Sequence, residues 1–184
     1  MYKNIAVFAS GGGSNLQAII DACKTGKLDA KVCVVISNNK NAFALQRAKS
    51  ENIHAYHLIN ENKIYNTLRK HETDFIFLCG YLKKIGQSIL DTYEIYNIHP
   101  ALLPKYGGKG MYGINVHKAV ISSGDKETGI TIHRADMEYD TGPIVAQCKI
   151  PVLPGDTAET LSARVLKREH TFIIETLTDI LKQY

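Results

Sequence analysis

The sequence is short of several things, and each shortage excludes a class of protein. Its four cysteines, Cys23, Cys33, Cys79 and Cys148, lie 10, 46 and 69 residues apart. That spacing makes neither a paired metal knuckle nor a disulfide framework, so they read as small core residues in a reducing compartment. Charge of one sign is scarce too: 22 Lys and Arg against 18 Asp and Glu leave +4, spread along the chain. Neither a nucleic-acid groove nor a polybasic membrane tether is expected. Long apolar runs are missing. Lys3 precedes a run of five, Ile5 to Ala9, which meets glycines rather than a cleavage site, and nothing approaches membrane-spanning length. A cytoplasmic protein without a membrane partner is expected. No linker, repeat or charge block divides the 184 residues, so 1–184 should form one domain. What is present, 45% apolar and 22% charged residues, is enough to bury a sizeable core and excludes disorder.

In the first half, short β-rich runs alternate with helix-period segments. Strands are expected at Ile5 to Ala9, Val32 to Ile36, Ala55 to Leu58, Phe75 to Cys79 and Ile95 to Ile98. Between them, helices are expected near Leu16 to Cys23, Ala42 to Lys49, Ile64 to His71 and Gln87 to Asp91. Ser14 followed by Gln17 resembles a capping box, and Gly26 falls just past the first helix. This order predicts buried parallel strands joined by right-handed crossovers. Pro100 to Gly113 carries two prolines and four glycines and must be a loop. A helix near Val116 to Ile121 follows. Gly129 to His133 and Ile144 to Val152 then have no helix between them and should pair antiparallel. The last 29 residues read as one helix opened by Asp156 with Glu159 three residues on. The expected fold class is therefore single-domain, Rossmann-like α/β: a mixed sheet with a parallel N-terminal half, antiparallel C-terminal strands and helices on both faces. Residues 1–99 form the nucleotide-binding-like half and 100–184 the remainder.

Three places carry chemistry. Ser10-Gly11-Gly12-Gly13-Ser14-Asn15 joins the first strand to the first helix, where unpaired N–H groups and a close-approaching backbone suit a phosphate. A plain tight turn is the alternative. The loop lacks the third glycine of the dinucleotide fingerprint, having Leu16 there. Gly108-Lys109 fails as a Walker loop because Leu103 stands at the first glycine. A monophosphate fits better than a dinucleotide. In Ile95 to Pro100, period two puts Asn97 and His99 on one face, with Cα atoms about 7 Å apart, at the strand's carboxyl edge. An amide and an imidazole converging there suit an oxyanion or a proton, and solvated strand-end polars are the alternative. Asp140, in a turn, would orient His99 and raise its pKa if the two meet. Glu169 shares a helical face with Val165, Leu166, Phe172 and Ile173, and a charge there needs a ligand or a network. The remaining histidines, among them His117 and His133, have no partners at ligand spacing. No metal is expected.

The glycine loop, Asn97-Ile-His-Pro-Ala-Leu-Leu-Pro104 and Asp140-Thr-Gly-Pro143 together resemble the phosphoribosylglycinamide formyltransferase family, the folate-dependent glycinamide ribonucleotide transformylases of purine (IMP) synthesis. The resemblance covers the whole chain. The Asn-x-His-Pro segment marks the wider formyltransferase superfamily, and the loop and the Arg164-Val165 to Glu169-His170 helix narrow it. By this resemblance Asn97 and His99 contact the formyl group of 10-formyltetrahydrofolate, a co-substrate, with Asp140 behind His99, and charge collects on the formyl oxygen of a tetrahedral intermediate. Gly12, Gly13, Ser14 and Asn15 hold the ribonucleotide phosphate, and Glu169 binds the ribonucleotide away from it. Leu82, Lys83, Lys84 and Ile85, with Asn97, hold the folate. The resemblance implies a monomer or weak homodimer with small-molecule partners. The sequence departs from the family pattern at Lys83 and Lys84, in the glycine-rich stretch after Tyr106, and in its short C-terminus. A sugar-nucleotide N-formyltransferase and a phosphate-ligand sensor without catalysis remain as alternatives. A methionyl-tRNA formyltransferase would need a further tRNA-binding domain, and a formyltetrahydrofolate hydrolase an N-terminal regulatory one.

Overall fold

A computed structural model of the chain describes residues 2–183. Among these the strands are β1 Lys3–Phe8, β2 Ala30–Ser37, β3 His54–His57, β4 Phe75–Leu78, β5 Glu94–His99, β6 Glu127–Arg134 and β7 Ile144–Pro151. The helices are α1 Ser14–Lys24, α2 Phe43–Ser50, α3 Glu61–Lys70, α4 Gln87–Leu90, α5 Ile114–Ser123 and α6 Ala158–Leu181. All strands join one sheet in the order β3-β2-β1-β4-β5-β6-β7. The first five pair parallel, and β6 and β7 are antiparallel to their neighbours, as the hydrophobic rhythm predicts. No helix among the described residues is long and apolar enough to cross a membrane.

Strand alternation builds two cores, one on each face. Ile5 and Val7 of β1, with Phe75 and Phe77 of β4, pack against Leu16 and Ile19 of α1, Val120 of α5, and Leu161, Val165 and Ile173 of α6. Ala6 and Phe8, with Ile76 and Leu78, pack against Ile64 and Leu68 of α3 and Ile89 of α4. Both faces of the parallel strands are thus covered, which is why these runs are continuously apolar rather than alternating. All four cysteines are free, and Cys79 is buried.

Two helix caps differ from the sequence reading. Ser14 is the first helical residue rather than the cap, because Gly13, at φ 72°, turns the chain one residue earlier. Gln17 instead reaches Asp21 and Glu51. On α6 the cap is Thr157, which exchanges bonds with Thr160. Asp156 is taken by the forked Arg164 guanidinium at 2.6 Å on both oxygens and by the Leu153 N–H, so it is not free to cap. That pairing holds its carboxyl well below the usual carboxylate range. Tyr184, the last residue of the expected helix, lies outside the described residues.

β1 lies between β2 and β4, so the connection leaving it runs to one side while the connection from β3 to β4 crosses back to its other side. At such a switch point the loops diverge from the carboxyl ends of the strands and leave a crevice. Here the loops after β1, β4 and β5 border it. Ser10 binds two of them together: its N–H donates to the Gly80 carbonyl, and its Oγ accepts from the Leu82 N–H at 2.8 Å.

Candidate active site

The crevice is a cleft of about 640 Å³. Residues 12–15, residues 82–85, Asn97, His99, Asp140 and Glu169 all line it, so every residue singled out in the sequence meets in one place. The volume lies within the usual range of small-molecule sites.

The glycine loop forms one end. Its carbonyls turn outward to α2: Gly11 O accepts from Ala44 N–H, and Gly12 O from Arg47 Nε at 2.8 Å. The N–H groups therefore turn toward the cleft, and among the described residues none accepts from those of Gly12, Gly13, Ser14 or Asn15. A row of unclaimed donors at the start of an eleven-residue helix suits a dianion. Gly13 is required twice over. A Cβ there would lie 2.8 Å from that of Ala44, and the backbone has positive φ.

Asn97 and His99 project from the end of β5 into the middle of the cleft. His99 is 4% exposed, and its Nε2 lies 2.8 Å from the Tyr106 carbonyl. A carbonyl only accepts, so Nε2 carries the proton and Nδ1 is the nitrogen left for other chemistry. Asp140 Oδ2 stands 3.5 Å from that Nδ1. The Asp140 carboxylate also takes the Gly108 N–H at 2.9 Å and lies 3.3 Å from Asn97 Nδ2. Two non-glycine residues at positive φ, Tyr106 at 57° and Asp140 at 61°, hold these partners in place, the kind of backbone strain that clusters at functional sites. The Asp140 turn also presses on β6, since a Cβ on Gly142 would lie 1.9 Å from the Arg134 carbonyl.

The electrostatics qualify one expectation. Burial is the largest influence on His99 and lowers its pKa, while Asp140 and the Tyr106 carbonyl raise it without overcoming burial. Asp140 therefore acts in the direction the sequence reading gives it, but the net result is a neutral ring at pH 7 rather than a charged one. Asp140 itself is pushed up by burial, yet its contact with His133, the facing His99 and the Gly108 N–H outweigh this and hold it below the ordinary range. At Glu169, 6% exposed, burial dominates the 2.8 Å bond from Asn15 Nδ2 and raises the carboxyl to about 7.

Two cleft residues have no signal in sequence spacing. His133 is buried opposite Asn97 in the β5–β6 register. Its Nδ1 lies 2.9 Å from the Arg134 carbonyl and so carries the proton, leaving Nε2 to accept from Asn97 Nδ2 at 3.0 Å. It thereby fixes the Asn97 amide, and the sequence reading of His133 as unremarkable is corrected. His117 of α5 is the second. The departures at 83 and 84 are accommodated by the protein: Lys83 bonds the Ile59 carbonyl, and Lys84 pairs with Glu138 at 2.8 Å. Lys83, Lys84 and Glu138 all line the cleft. Leu82 remains half exposed where it lines the cleft, an apolar rim for a flat ring. Among the described residues no group of three or more His, Cys, Asp or Glu is placed to hold a metal ion.

A doubly wound sheet with donors at its switch point and an Asn–His–Asp cluster beside them defines a class, and residues 3–177 match the profile of that class, described as formyl transferase. The chain belongs to the formyl transferase family. Among curated relatives it is similar to the chloroplastic phosphoribosylglycinamide formyltransferase of Vigna unguiculata, 44% identical over 98% of this chain and 62% of that protein. It also resembles phosphoribosylglycinamide formyltransferase of Escherichia coli K12, 39% identical over 91% of this chain and 82% of that one. The chain spans less than two thirds of the length of the Vigna relative and of a chloroplastic one from Arabidopsis thaliana, 66%. Among solved structures, phosphoribosylglycinamide formyltransferase from Bacillus halodurans superposes with a TM-score of 0.89 at 35% identity, covering 97% of this chain and 95% of that one.

Proposed function

We propose that this protein transfers the formyl group of 10-formyltetrahydrofolate to the amine of glycinamide ribonucleotide, a step in the synthesis of the purine nucleotide IMP. The observation that carries the reading is the opening of the unclaimed loop N–H groups and the Asn97–His99–Asp140 cluster into one cleft. The first binds a phosphate, and the second handles an acyl carbon. In this reading residues 1–99 supply the phosphate site at 12–15, and residues 100–184 complete the folate and substrate sites with Asp140 and Glu169. Residues 82–85 and the apolar rim hold the pterin, largely through backbone, because both lysine side chains have protein partners. The protein works as a monomer or weak homodimer in this reading. Four unpaired thiols suit a cytoplasmic location.

The folate supplies an activated formyl group. The amine nitrogen bonds to the formyl carbon, the bond from that carbon to the folate nitrogen breaks, and one proton passes from the amine to that nitrogen. Asn97 has one amide hydrogen fixed on His133, and its second, engaged only by the longer 3.3 Å contact with Asp140, is the donor available to the oxygen on which charge develops. The neutral His99 presents Nδ1 as a base for the amine proton, and the adjacent Asp140 stabilises the imidazolium so formed. That imidazolium returns the proton to the folate nitrogen. Glu169, bonded to Asn15, binds the ribonucleotide away from the phosphate.

The test is release of tetrahydrofolate from 10-formyltetrahydrofolate by the purified protein, followed optically. The reading requires release when glycinamide ribonucleotide is added and none without it. No release, or release independent of the amine, refutes it.

A further inference from the structure

His117 lines the cleft but has no part in the reaction as described. It is 3% exposed, lies on the buried side of α5 with Val116 and Val120, and is within electrostatic reach of His99. Its Nδ1 is buried without a hydrogen-bond partner among the described residues. Leaving a buried polar atom unpaired costs about 1–3 kcal/mol, so an imidazole here, where an apolar ring would fit, calls for a compensating interaction. Nε2 also has no hydrogen-bond partner among the described residues but is not sealed off, which makes it the ring nitrogen that opens to the cleft.

The position of the proton follows from these facts. Placing it on Nδ1 would bury an unpaired N–H, the rarer kind of orphan in native proteins. A doubly protonated ring would bury a charge facing His99, and burial and that neighbour both lower the His117 pKa. The resting ring is neutral with its hydrogen on Nε2, a donor aimed into the cleft. The direction of approach narrows the ligand. His117 shares its side of the cleft with Val165 and Glu169 of α6, and Glu169 is bonded to Asn15 of the glycine loop. Ile85 of the pterin segment packs in the core on the opposite face of the sheet.

Resting on the formyl-transfer reading above, we infer that His117 is a specificity residue for the amine substrate: its Nε2–H donates to an uncharged oxygen acceptor of that ligand, an amide carbonyl or a sugar hydroxyl. A neutral donor of this kind favours a ligand with an acceptor at that point and leaves its own hydrogen unpaired against one without.

The experiment compares wild type, His117→Phe and His117→Gln in steady-state kinetics with both substrates varied, alongside thermal melting of the ligand-free proteins. Phenylalanine keeps the ring and removes both nitrogens; glutamine returns an amide donor near the Nε2 position. His117→Phe should raise the KM for glycinamide ribonucleotide about fivefold to tenfold, leave the folate KM within about twofold, and melt no lower than wild type because the orphaned nitrogen is gone. His117→Gln should recover most of the ribonucleotide KM. An unchanged ribonucleotide KM in His117→Phe, or an equal rise for both substrates with a lower melting temperature, overturns the assignment. Nitrogen-15 NMR of the wild-type ring reads the same contact without a variant: the Nε2–H signal should move on adding the ribonucleotide and not on adding folate, and a proton on Nδ1 or an unmoved signal overturns the inference. Wild-type turnover separates the two readings. No formyl transfer refutes the proposed function, whereas transfer with His117 variants indistinguishable from wild type refutes this inference alone.

Discussion

Replacing Glu169 by glutamine should stabilise the ligand-free protein at alkaline pH while weakening its hold on the ribonucleotide. Glu169 sits on the apolar stripe of α6 between Val165 and Phe172, with one hydrogen bond, from Asn15. Burial moves its carboxyl from 4.5 to about 7. At about 1.4 kcal/mol per pH unit, that corresponds to about 3 kcal/mol as the cost of ionising it in place. Between pH 4.5 and 7 the folded protein keeps a proton that the unfolded chain has released, so stability is fully present below 4.5 and declines as pH rises through 7. Glutamine has no proton to lose, and its amide oxygen can still accept from Asn15, a bond whose effect on the carboxylate is already contained in the shift to about 7. The net gain should be about 3 kcal/mol at pH 8 and about 1 kcal/mol at pH 5. Urea unfolding of both proteins at the two pH values measures it. An equal difference at both, or a variant less stable at pH 8, would refute the burial argument and show that the carboxylate is stabilised as an anion.

Asp140→Asn removes the one contribution from a carboxylate that raises the His99 pKa, so the ring should titrate lower still and turnover should fall; proton NMR of the imidazole across pH reads this, and an unaltered titration contradicts the pairing. Gly13→Val forces a Cβ against Ala44 at positive φ and should lower the melting temperature by about 5 °C while weakening the ribonucleotide far more than the folate in calorimetry; equal losses for both ligands would dissociate the loop from phosphate. Residues 108–113 line the cleft with Gly108 and Gly110 at φ 94° and 88°, and the Asp140 carboxylate holds the Gly108 N–H. If this segment closes over the ribonucleotide, hydrogen exchange at 108–113 slows on binding, and identical exchange with and without ligand leaves it a passive loop.

The parallel half of the sheet was readable because its central strands are buried on both faces, and an apolar run such as Phe75 to Cys79 has no other stable place. Asn97 and His99 were readable for the same reason: a polar pair at the last turns of such a run is conspicuous. The identity of Glu169 as a cleft residue followed from the cost of a charge on the α6 stripe. His133 was not readable, because its meeting with Asn97 depends on the register between β5 and β6, which no local pattern states. His117 lies beyond local pattern too, being brought to the cleft by α5 packing. The caps of α1 and α6 were misread because a left-handed Gly13 and the Arg164 fork on Asp156 act through backbone geometry and a contact eight residues away. The net direction of the His99 pKa is a balance of burial against a neighbour, and only three-dimensional depth sets the first.

The most direct test of the account is a single-turnover experiment with carbon-13 formyl donor, glycinamide ribonucleotide and either wild-type protein or Asn97→Ala. Label should appear on the ribonucleotide amine only with wild-type protein and both substrates present, and loss of one preorganised donor should slow the step by about a hundredfold or more with ribonucleotide affinity nearly unchanged. Label found in formate rather than on the amine, or a near-normal rate in Asn97→Ala, would contradict the claim that this cleft is a formyl-transfer site with Asn97 at the developing oxyanion.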